Sequence, residues 1–309
     1  MRAVLLVGHG SRDPEGNVQV REFIRELEPR LDSSLLVETC FLEFEMPTIS
    51  QGIQACVRKG AKHIVVIPIM LLPAGHSKIH IPAAIDEAKE HYPGVQFTYG
   101  RPIGIHEETF EISKTRLEEA GENWRESDEG TAVILLGRGG SDPDANSELF
   151  KIGRLLWEKT SFKLVEPAFM GVSDPLIQEG VERCIKLGAK RIIILPYFLF
   201  TGILIKRLEN MMEGFTAAHP EIEFKLAGYF GFHERLHTII KDRIDEALLG
   251  DVKMNCDTCQ YRLTAMEHID HHHHHDHDHH HHHDHGDHHH DHAHTHAGEE
   301  HQEKEVQKI

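Results

Sequence analysis

The chain has 309 residues, 39% of them hydrophobic, and carries 33 Lys plus Arg against 50 Asp plus Glu, a formal net charge of −17. The length predicts about two domains, and the apolar content predicts a packed core. Residues 251–309 hold 13 acidic and 4 basic side chains and residues 1–250 hold 37 and 29, so neither part is basic and sequence-independent binding to nucleic-acid phosphates is disfavoured.

Residues 3–7 are a short apolar run closed by Gly8, the mark of a buried strand. Residues 18–31 have helical spacing at Val20, Phe23, Ile24, Leu27 and Leu31. A second strand is predicted over 35–42. Pro47 opens a helix through 59, since proline suits a first helical turn. Residues 64–70 read as the third strand, ended by Pro73-Ala74-Gly75. A helix over 81–91, a strand over 95–99 and a helix over 106–119 complete the unit. Alternating strands and helices predict an α/β fold with a parallel sheet and helices on both faces.

The pattern then starts again. Residues 4–14 and 133–143 are identical at six of eleven positions. Gly60-Ala61-Lys62 is matched by Gly188-Ala189-Lys190, and Gly104-Ile105-His106-Glu107 by Gly231-Phe232-His233-Glu234. Collinear matches of this kind mean a tandem duplication. The expected organisation is one α/β repeat over 1–121, a second over 122–250, and a tail over 251–309. Two such lobes are expected to face each other across a cleft, where ligands commonly bind. His106 and His233 occupy equivalent positions, which predicts a shared scaffold role at a helix start.

No apolar run approaches the ~20 residues that span a bilayer. Residues 1–8 are too short for a secretion signal and run directly into a turn. Five cysteines, three of them scattered, do not make a disulfide framework. These features predict a cytosolic protein.

Positions that differ between the repeats are the place to look for chemistry. Ligands of open α/β sheets bind beyond the carboxyl ends of the strands. His9 follows the first strand, Glu43 the second, and His76 lies in the loop after the third. Their counterparts are Arg138, Gly171 and Leu204. Two imidazoles and a carboxylate suit cobalt, iron, nickel or zinc, and three protein ligands leave the coordination sphere open. Taken one at a time, the same residues also read as a turn cap, a solvated carboxylate and a loop histidine. Gly8-His9-Gly10 lacks the third glycine of a dinucleotide fingerprint, and no phosphate-loop Gly-Lys-Ser/Thr occurs.

Gly8-His9-Gly10-Ser11-Arg12, the strand end Phe41-Leu42-Glu43 and Leu72-Pro73-Ala74-Gly75-His76 resemble the sirohydrochlorin chelatases of the CbiX and SirB type. The resemblance covers residues 1–250. It implies a class II chelatase, an ATP-independent enzyme that inserts Co²⁺ or Fe²⁺ into a modified tetrapyrrole. It further implies that His9 and His76 bind the metal and assist proton removal, with Glu43 joining them. Imidazoles near neutral pH can hold a divalent ion and accept a pyrrole proton. His9 is then the expected metal ligand and principal proton acceptor, His76 the opposing ligand, and Glu43 the charge balance. Leu71, Leu72, Pro73, Ala74 and Gly75 are apolar or small and suit a macrocycle face, and Glu45 is an additional candidate. Sirohydrochlorin is rich in carboxylates, which gives Arg12, Lys78, Arg138, Lys206 and Arg207 a possible place at the rim, although each also reads as a solvated charge.

Met254-Asn255-Cys256-Asp257-Thr258-Cys259 follows the duplication. Cys-x-x-Cys spacing lets two thiolates reach one metal or cluster. The long CbiX-type proteins carry a Met-x-Cys-x-x-Cys segment associated with an iron–sulfur cluster, so the resemblance implies one, a [4Fe–4S] cluster, at Cys256 and Cys259. Such a cluster normally takes four ligands; the others are open among Cys40, Cys56, Cys184, the His tract, a small molecule or a second chain. From position 268 to 301 lie 20 histidines interspersed with aspartates. That stretch cannot build a core and suits divalent metal ions, for storage or local delivery; an expression tag is the plain alternative. The expected function is Co²⁺ insertion into sirohydrochlorin in anaerobic cobalamin biosynthesis. Iron insertion for sirohaem, a non-enzymatic metallochaperone or metal store, and a nucleotide-binding α/β protein are the rivals. A monomer suffices, because a fused pair of lobes makes the cleft within one chain.

Overall fold

A computed structural model describes residues 1–250, with His76 described by its backbone alone; residues 251–309 lie outside the described part. Strands β1 (Arg2–Gly8), β2 (Leu36–Phe41), β3 (His63–Ile69) and β4 (Gln96–Tyr99) form a parallel sheet in the order β2-β1-β3-β4. Strands β5 (Thr131–Gly137), β6 (Leu164–Phe169), β7 (Arg191–Pro196) and β8 (Glu223–Leu226) repeat it as β6-β5-β7-β8. Between them run α1 (Pro14–Leu27), α2 (Ile49–Arg58), α3 (Ile81–His91) and α4 (Glu107–Glu119), then α5 (Pro143–Glu158), α6 (Ile177–Lys186), α7 (Ile203–Ala218) and α8 (Glu234–Leu249). No helix among the described residues is long and apolar enough to cross a membrane.

Helix starts follow from their caps. The apolar spacing places the first helix from residue 18, but it begins at Pro14. Asp13 accepts a hydrogen bond from the Glu15 amide, and Pro14 takes a first-turn position where no amide hydrogen is needed. In the same way α2 begins at Ile49 rather than at Pro47. Thr48 and Gln51 form a reciprocal capping box there. His106 caps α4 and His233 caps α8, each accepting an amide hydrogen on Nδ1. The equivalent histidines therefore do share a scaffold role.

Each sheet buries both faces, because alternate residues of a strand point to opposite sides. In the first sheet Ala3, Leu5 and Val7 meet Ile49, Ile53 and Cys56 of α2 and Ile81, Ile85 and Ala88 of α3. In the second, Ala132, Ile134 and Leu136 meet Ile177, Val181 and Cys184 of α6 and Leu208 and Phe215 of α7. The other face of both sheets lines one shared core, where Val4, Leu6, Val133 and Leu135 all lie.

The last helix of each repeat covers the sheet of the other repeat. Helix α8 packs on β3 and β4, and α4 packs on β7. Ile240, Ile244 and Ala247 of α8, with Phe110, Ile112 and Leu117 of α4, belong to the shared core. Arg243 of α8 donates to the carbonyls of Pro102 and Ile103 from a buried position. The division of the sequence near residue 121 is thus not the division of the packing.

His237 of α8 shows the cost of this arrangement in acid. Its ring is buried and stacked on Phe23 at 4.5 Å. Burial, then the nearby Arg30, hold its pKa below the ordinary 6.5. The unfolded chain therefore takes up a proton near that value while the folded chain does not. The contribution is fully present above pH 6.5 and is lost as pH falls from there toward the depressed folded value. We expect His237→Phe to lose less thermal stability than the parent on going from about pH 7.5 to about pH 5.5. Equal losses in the two proteins would assign the acid sensitivity to other groups.

Candidate metal centre

The register of the first sheet sets the site. Gly8 lies opposite Phe41 of β2 on one side and Ile69 of β3 on the other, so three strands end at one level. The strand order reverses at β1, between β2 and β3, which is the topological switch point where open α/β sheets bind ligands. His9 leaves β1 there, Glu43 follows β2, and the loop to His76 follows β3.

His9 and Glu43 come together. Nδ1 of His9 is 3.6 Å from Oε1 of Glu43 and 3.1 Å from the Gly10 carbonyl. Both side chains are about one-third exposed, at 32% each. Backbone hydrogen bonds from Leu42 to the Gly8 carbonyl and from Glu43 to the His9 carbonyl hold the two strand ends in step. Gly10 is required for this approach. Its φ is +87°, and a Cβ there would lie 1.7 Å from the Glu43 carbonyl oxygen. Gly139 repeats the geometry against Gly171 in the second repeat, at φ +81° and 1.9 Å. The close approach thus belongs to the scaffold, and only the side chains differ.

His76 opens a one-turn π-helix, His76–His80. That turn explains a spacing difference between the repeats. Pro68 and Pro196 are offset by 128 positions, whereas Pro93 and Pro220 are offset by 127. The first repeat therefore carries one extra residue between them, which a π-turn accommodates; such turns recur at functional sites. The side chain of His76 lies outside the described part. Among the described residues, no group of three or more His, Cys, Asp or Glu side chains is arranged to hold a metal ion.

The apolar loop before His76 is well supported. Leu71 and Leu72 pack against the shared core. The carbonyls of Met70 and Leu71 accept hydrogen bonds from Ile103 and Gly104. Ala74 accepts at its carbonyl from the amides of Ser77 and Lys78, and Pro73, Ala74 and Gly75 are half-buried.

Other charged candidates are committed elsewhere. Glu45 accepts from Arg21 at 3.0 Å and from the Met46 amide at 2.9 Å, and the Met46 amide chiefly lowers its pKa. Lys78 is a correction to the expected rim. It is 4% exposed and sits 2.7 Å from both Asp142 and Asp144 of the second repeat. Lys206 pairs with Asp13 at 2.7 Å and Glu15 at 2.9 Å. Arg12, Arg138 and Arg207 are exposed. Sequence reasoning passed over Phe44. It is exposed beside Glu43, with the Arg12 guanidinium 4.8 Å from its ring centre. An aromatic residue set between Glu43 and Glu45 was the available signal.

A cavity of about 290 Å³ opens beside Glu43 between the starts of α2 and α3, lined also by Thr48, Ser50 and His80. Cys40, Cys56 and Cys184 are buried in the outer cores. Burial pushes the Cys56 and Cys184 thiols up to about 12 and that of Cys40 higher still. None of them is placed to ligate a cluster at the surface. Cys256, Cys259 and the His tract fall outside the described residues.

The family profile CbiX matches residues 3–120 and again residues 132–247. A sirohydrochlorin cobaltochelatase of Priestia megaterium is 71% identical over 272 residues, 88% of either chain. A sirohydrochlorin ferrochelatase of the same species is 37% identical over 261 residues, 84% of this chain and 96% of the relative. Among solved structures, SirB from Bacillus subtilis with Fe³⁺ aligns with a TM-score of 0.71 at 34% identity, covering 81% of this chain and 97% of that one. The sirohydrochlorin chelatase SirB from Bacillus subtilis subspecies spizizenii in complex with cobalt gives 0.67 at 31%, covering 80% and 94%. The family match over both repeats, the relatives and the shared two-sheet fold make this a two-lobed chelatase of class II type. The chain belongs to the CbiX family.

Proposed function

We infer that this protein inserts Co²⁺ into sirohydrochlorin, the metallation step of cobalamin biosynthesis. The observation that carries the choice of metal is a contrast within one species. The chain is 71% identical to the cobaltochelatase of Priestia megaterium and 37% identical to its ferrochelatase. Two relatives from one organism thus separate cobalt from iron.

The reaction exchanges two pyrrole N–H protons for one divalent ion. In the tautomer that donates from Nδ1 to the Gly10 carbonyl, His9 carries its lone pair on Nε2. That lone pair would hold the incoming ion first and, once the ion has passed to the macrocycle, take one pyrrole proton, the imidazolium being stabilised by Glu43 beside the ring; the second proton would leave to His76 or to solvent. We assign His76 as the second imidazole ligand. The half-buried Leu71–Gly75 segment supplies an apolar edge for the macrocycle, and Arg12 and Phe44 suit its carboxylates and ring. The absence of a disulfide among the described cysteines suits a cytosolic setting.

The tail is read as auxiliary. Cys256 and Cys259 supply two of the four thiolates an iron–sulfur cluster usually takes. The described cysteines are too buried to add to them, so completing a cluster requires a second chain or a ligand other than cysteine. The His and Asp tract suits divalent ions held for delivery.

The test is anaerobic metallation of sirohydrochlorin, followed by absorbance, with Co²⁺, Fe²⁺ and Ni²⁺ in parallel. The full chain is expected to turn over fastest with Co²⁺. A chain ending at Gly250 should match it at saturating Co²⁺ and fall behind at limiting Co²⁺. No acceleration over the spontaneous rate by the full chain sinks the reading; faster Fe²⁺ insertion moves it to sirohaem synthesis.

A further inference from the structure

The second repeat lacks all three ligand-bearing residues, yet it reaches into the metal loop of the first. Lys78 stands two residues after His76, inside the π-turn His76–His80. Its ammonium lies 2.7 Å from Oδ2 of Asp142 and 2.7 Å from Oδ2 of Asp144. Lys78 is 4% exposed and Asp142 3%. Asp142 is itself immobilised, because its side chain caps α5 by accepting from the Asp144 amide at 3.0 Å. A second buried tie holds the same turn: Tyr99 donates its hydroxyl to the Ser77 carbonyl at 2.6 Å.

The reciprocal contact shows what is special here. Lys206 of the second repeat reaches back to Asp13 and Glu15 of the first in the same manner, but it is 49% exposed. There Leu204 stands where the first repeat has His76, already inside α7, which starts at Ile203 without a π-turn. One device occurs twice, then, and its lysine is sealed from water, against Asp142, only where the adjacent loop bears the assigned ligand histidine; Asp144, the outer partner, is 67% exposed. Exposed ion pairs of long side chains hold little geometry. A desolvated pair anchored on a helix cap holds its partners rigidly. A metal site needs that, since ligand atoms must stay within about 0.5 Å of their working positions.

We propose that Lys78 is a positioning residue, clamped by Asp142 and Asp144, through which the second repeat fixes the His76 loop for metal binding. The proposal rests on His76 being a metal ligand, as assigned above. A lysine in a chelatase of carboxylate-rich substrates is easily taken for a substrate contact. Here its charge is spent inside the protein, and its removal should act on the metal and not on the tetrapyrrole.

The experiment compares KM for Co²⁺, KM for sirohydrochlorin and kcat in the full-length protein, with free Co²⁺ set by a chelating buffer so that the tail is equally loaded in every variant. Lys78→Met should raise KM for Co²⁺ about 10-fold or more, the size typical of losing a residue that orients a ligand, and leave KM for sirohydrochlorin unchanged. Lys78→Met leaves Asp142 buried and unpaired, so folding is guarded by the double variant Lys78→Met/Asp142→Asn, which removes both buried charges. It should show the same rise in KM for Co²⁺. Asp144→Asn should show a smaller rise in the same direction. Val181→Ala, a cavity in the outer core of the second repeat, should lower Tm without moving KM for Co²⁺. A folded double variant with the parent's KM for Co²⁺ overturns the proposal, as does a rise in KM for sirohydrochlorin alone. His76→Ala separates the two levels of argument. If it leaves KM for Co²⁺ unchanged, the ligand assignment fails and takes the clamp with it. If it raises KM while the Lys78 variants do not, the clamp alone is wrong.

Discussion

Replacing His9 with alanine is expected to cut kcat for Co²⁺ insertion by about 10²–10⁴-fold, the range a positioned proton acceptor contributes. The loss should appear at saturating Co²⁺ as well as at limiting Co²⁺, because His9 is assigned both to the ion and to the proton. His9 is one-third exposed at a strand end, with Nδ1 3.6 Å from Glu43 and 3.1 Å from the Gly10 carbonyl, and it is no part of the apolar cores. Its removal therefore opens no core cavity, and Tm should change little. Glu43→Gln, which keeps the shape and removes the charge, should lose less and mainly raise KM for Co²⁺. Time courses of absorbance under anaerobic conditions, run beside thermal melts, measure both. A His9→Ala protein within threefold of the parent in kcat would place the proton acceptor on another residue.

Gly10→Ala and Gly139→Ala form the second large expectation, and they are informative as a pair. Each glycine has positive φ and sits where a Cβ would strike the carbonyl oxygen of the neighbouring strand end, at 1.7 Å and 1.9 Å. The left-handed conformation alone costs about 1–2 kcal/mol for a residue with a Cβ, and the collision adds to that. Both variants should therefore be destabilised to a similar degree in urea titrations. Only the first should also change metal chemistry, since the carbonyl displaced by Gly10→Ala is that of Glu43. The one displaced by Gly139→Ala is that of Gly171, which has no side chain to move. If Gly139→Ala raised KM for Co²⁺ as much as Gly10→Ala, the ligand set would not be confined to the first repeat.

The strands and the duplication were legible because buried parallel strands are continuous apolar runs, as in Ala3–Val7 and its match Ala132–Leu136. Apolar spacing alone starts α1 four residues late, because its first turn is set by Asp13-Pro14, a cap and a first-turn proline, and carries no apolar periodicity. The exchange of α4 and α8 left no mark in the sequence. An amphipathic helix has the same period whichever sheet it covers, so Ile240 and Ile244 read alike in either packing. The closeness of His9 and Glu43 was legible because both follow the ends of strands that a parallel sheet sets side by side, and a difference between repeats at such ends is a local signal. The sequence places Lys78 at a substrate rim or in solvent, and the structure does neither, because a lysine's burial is set by what folds over it. Here those groups, Asp142 and Asp144, lie more than sixty positions away. Phe44 was missed for a related reason: its exposure beside Arg12 is a property of the folded loop.

The crossed helices give the chain a single fate on unfolding. Peeling α8 away to open the second repeat strips the first sheet of its cover, and loosening α4 does the same in reverse. Neither half is then expected to melt while the other stays intact, and calorimetry of residues 1–250 should show one transition and not two. A copy with Arg138, Gly171 and Leu204 in place of His9, Glu43 and His76 would ordinarily be free to drift. This one is held in place, because any weakening it accumulates also loosens the half that carries the candidate site.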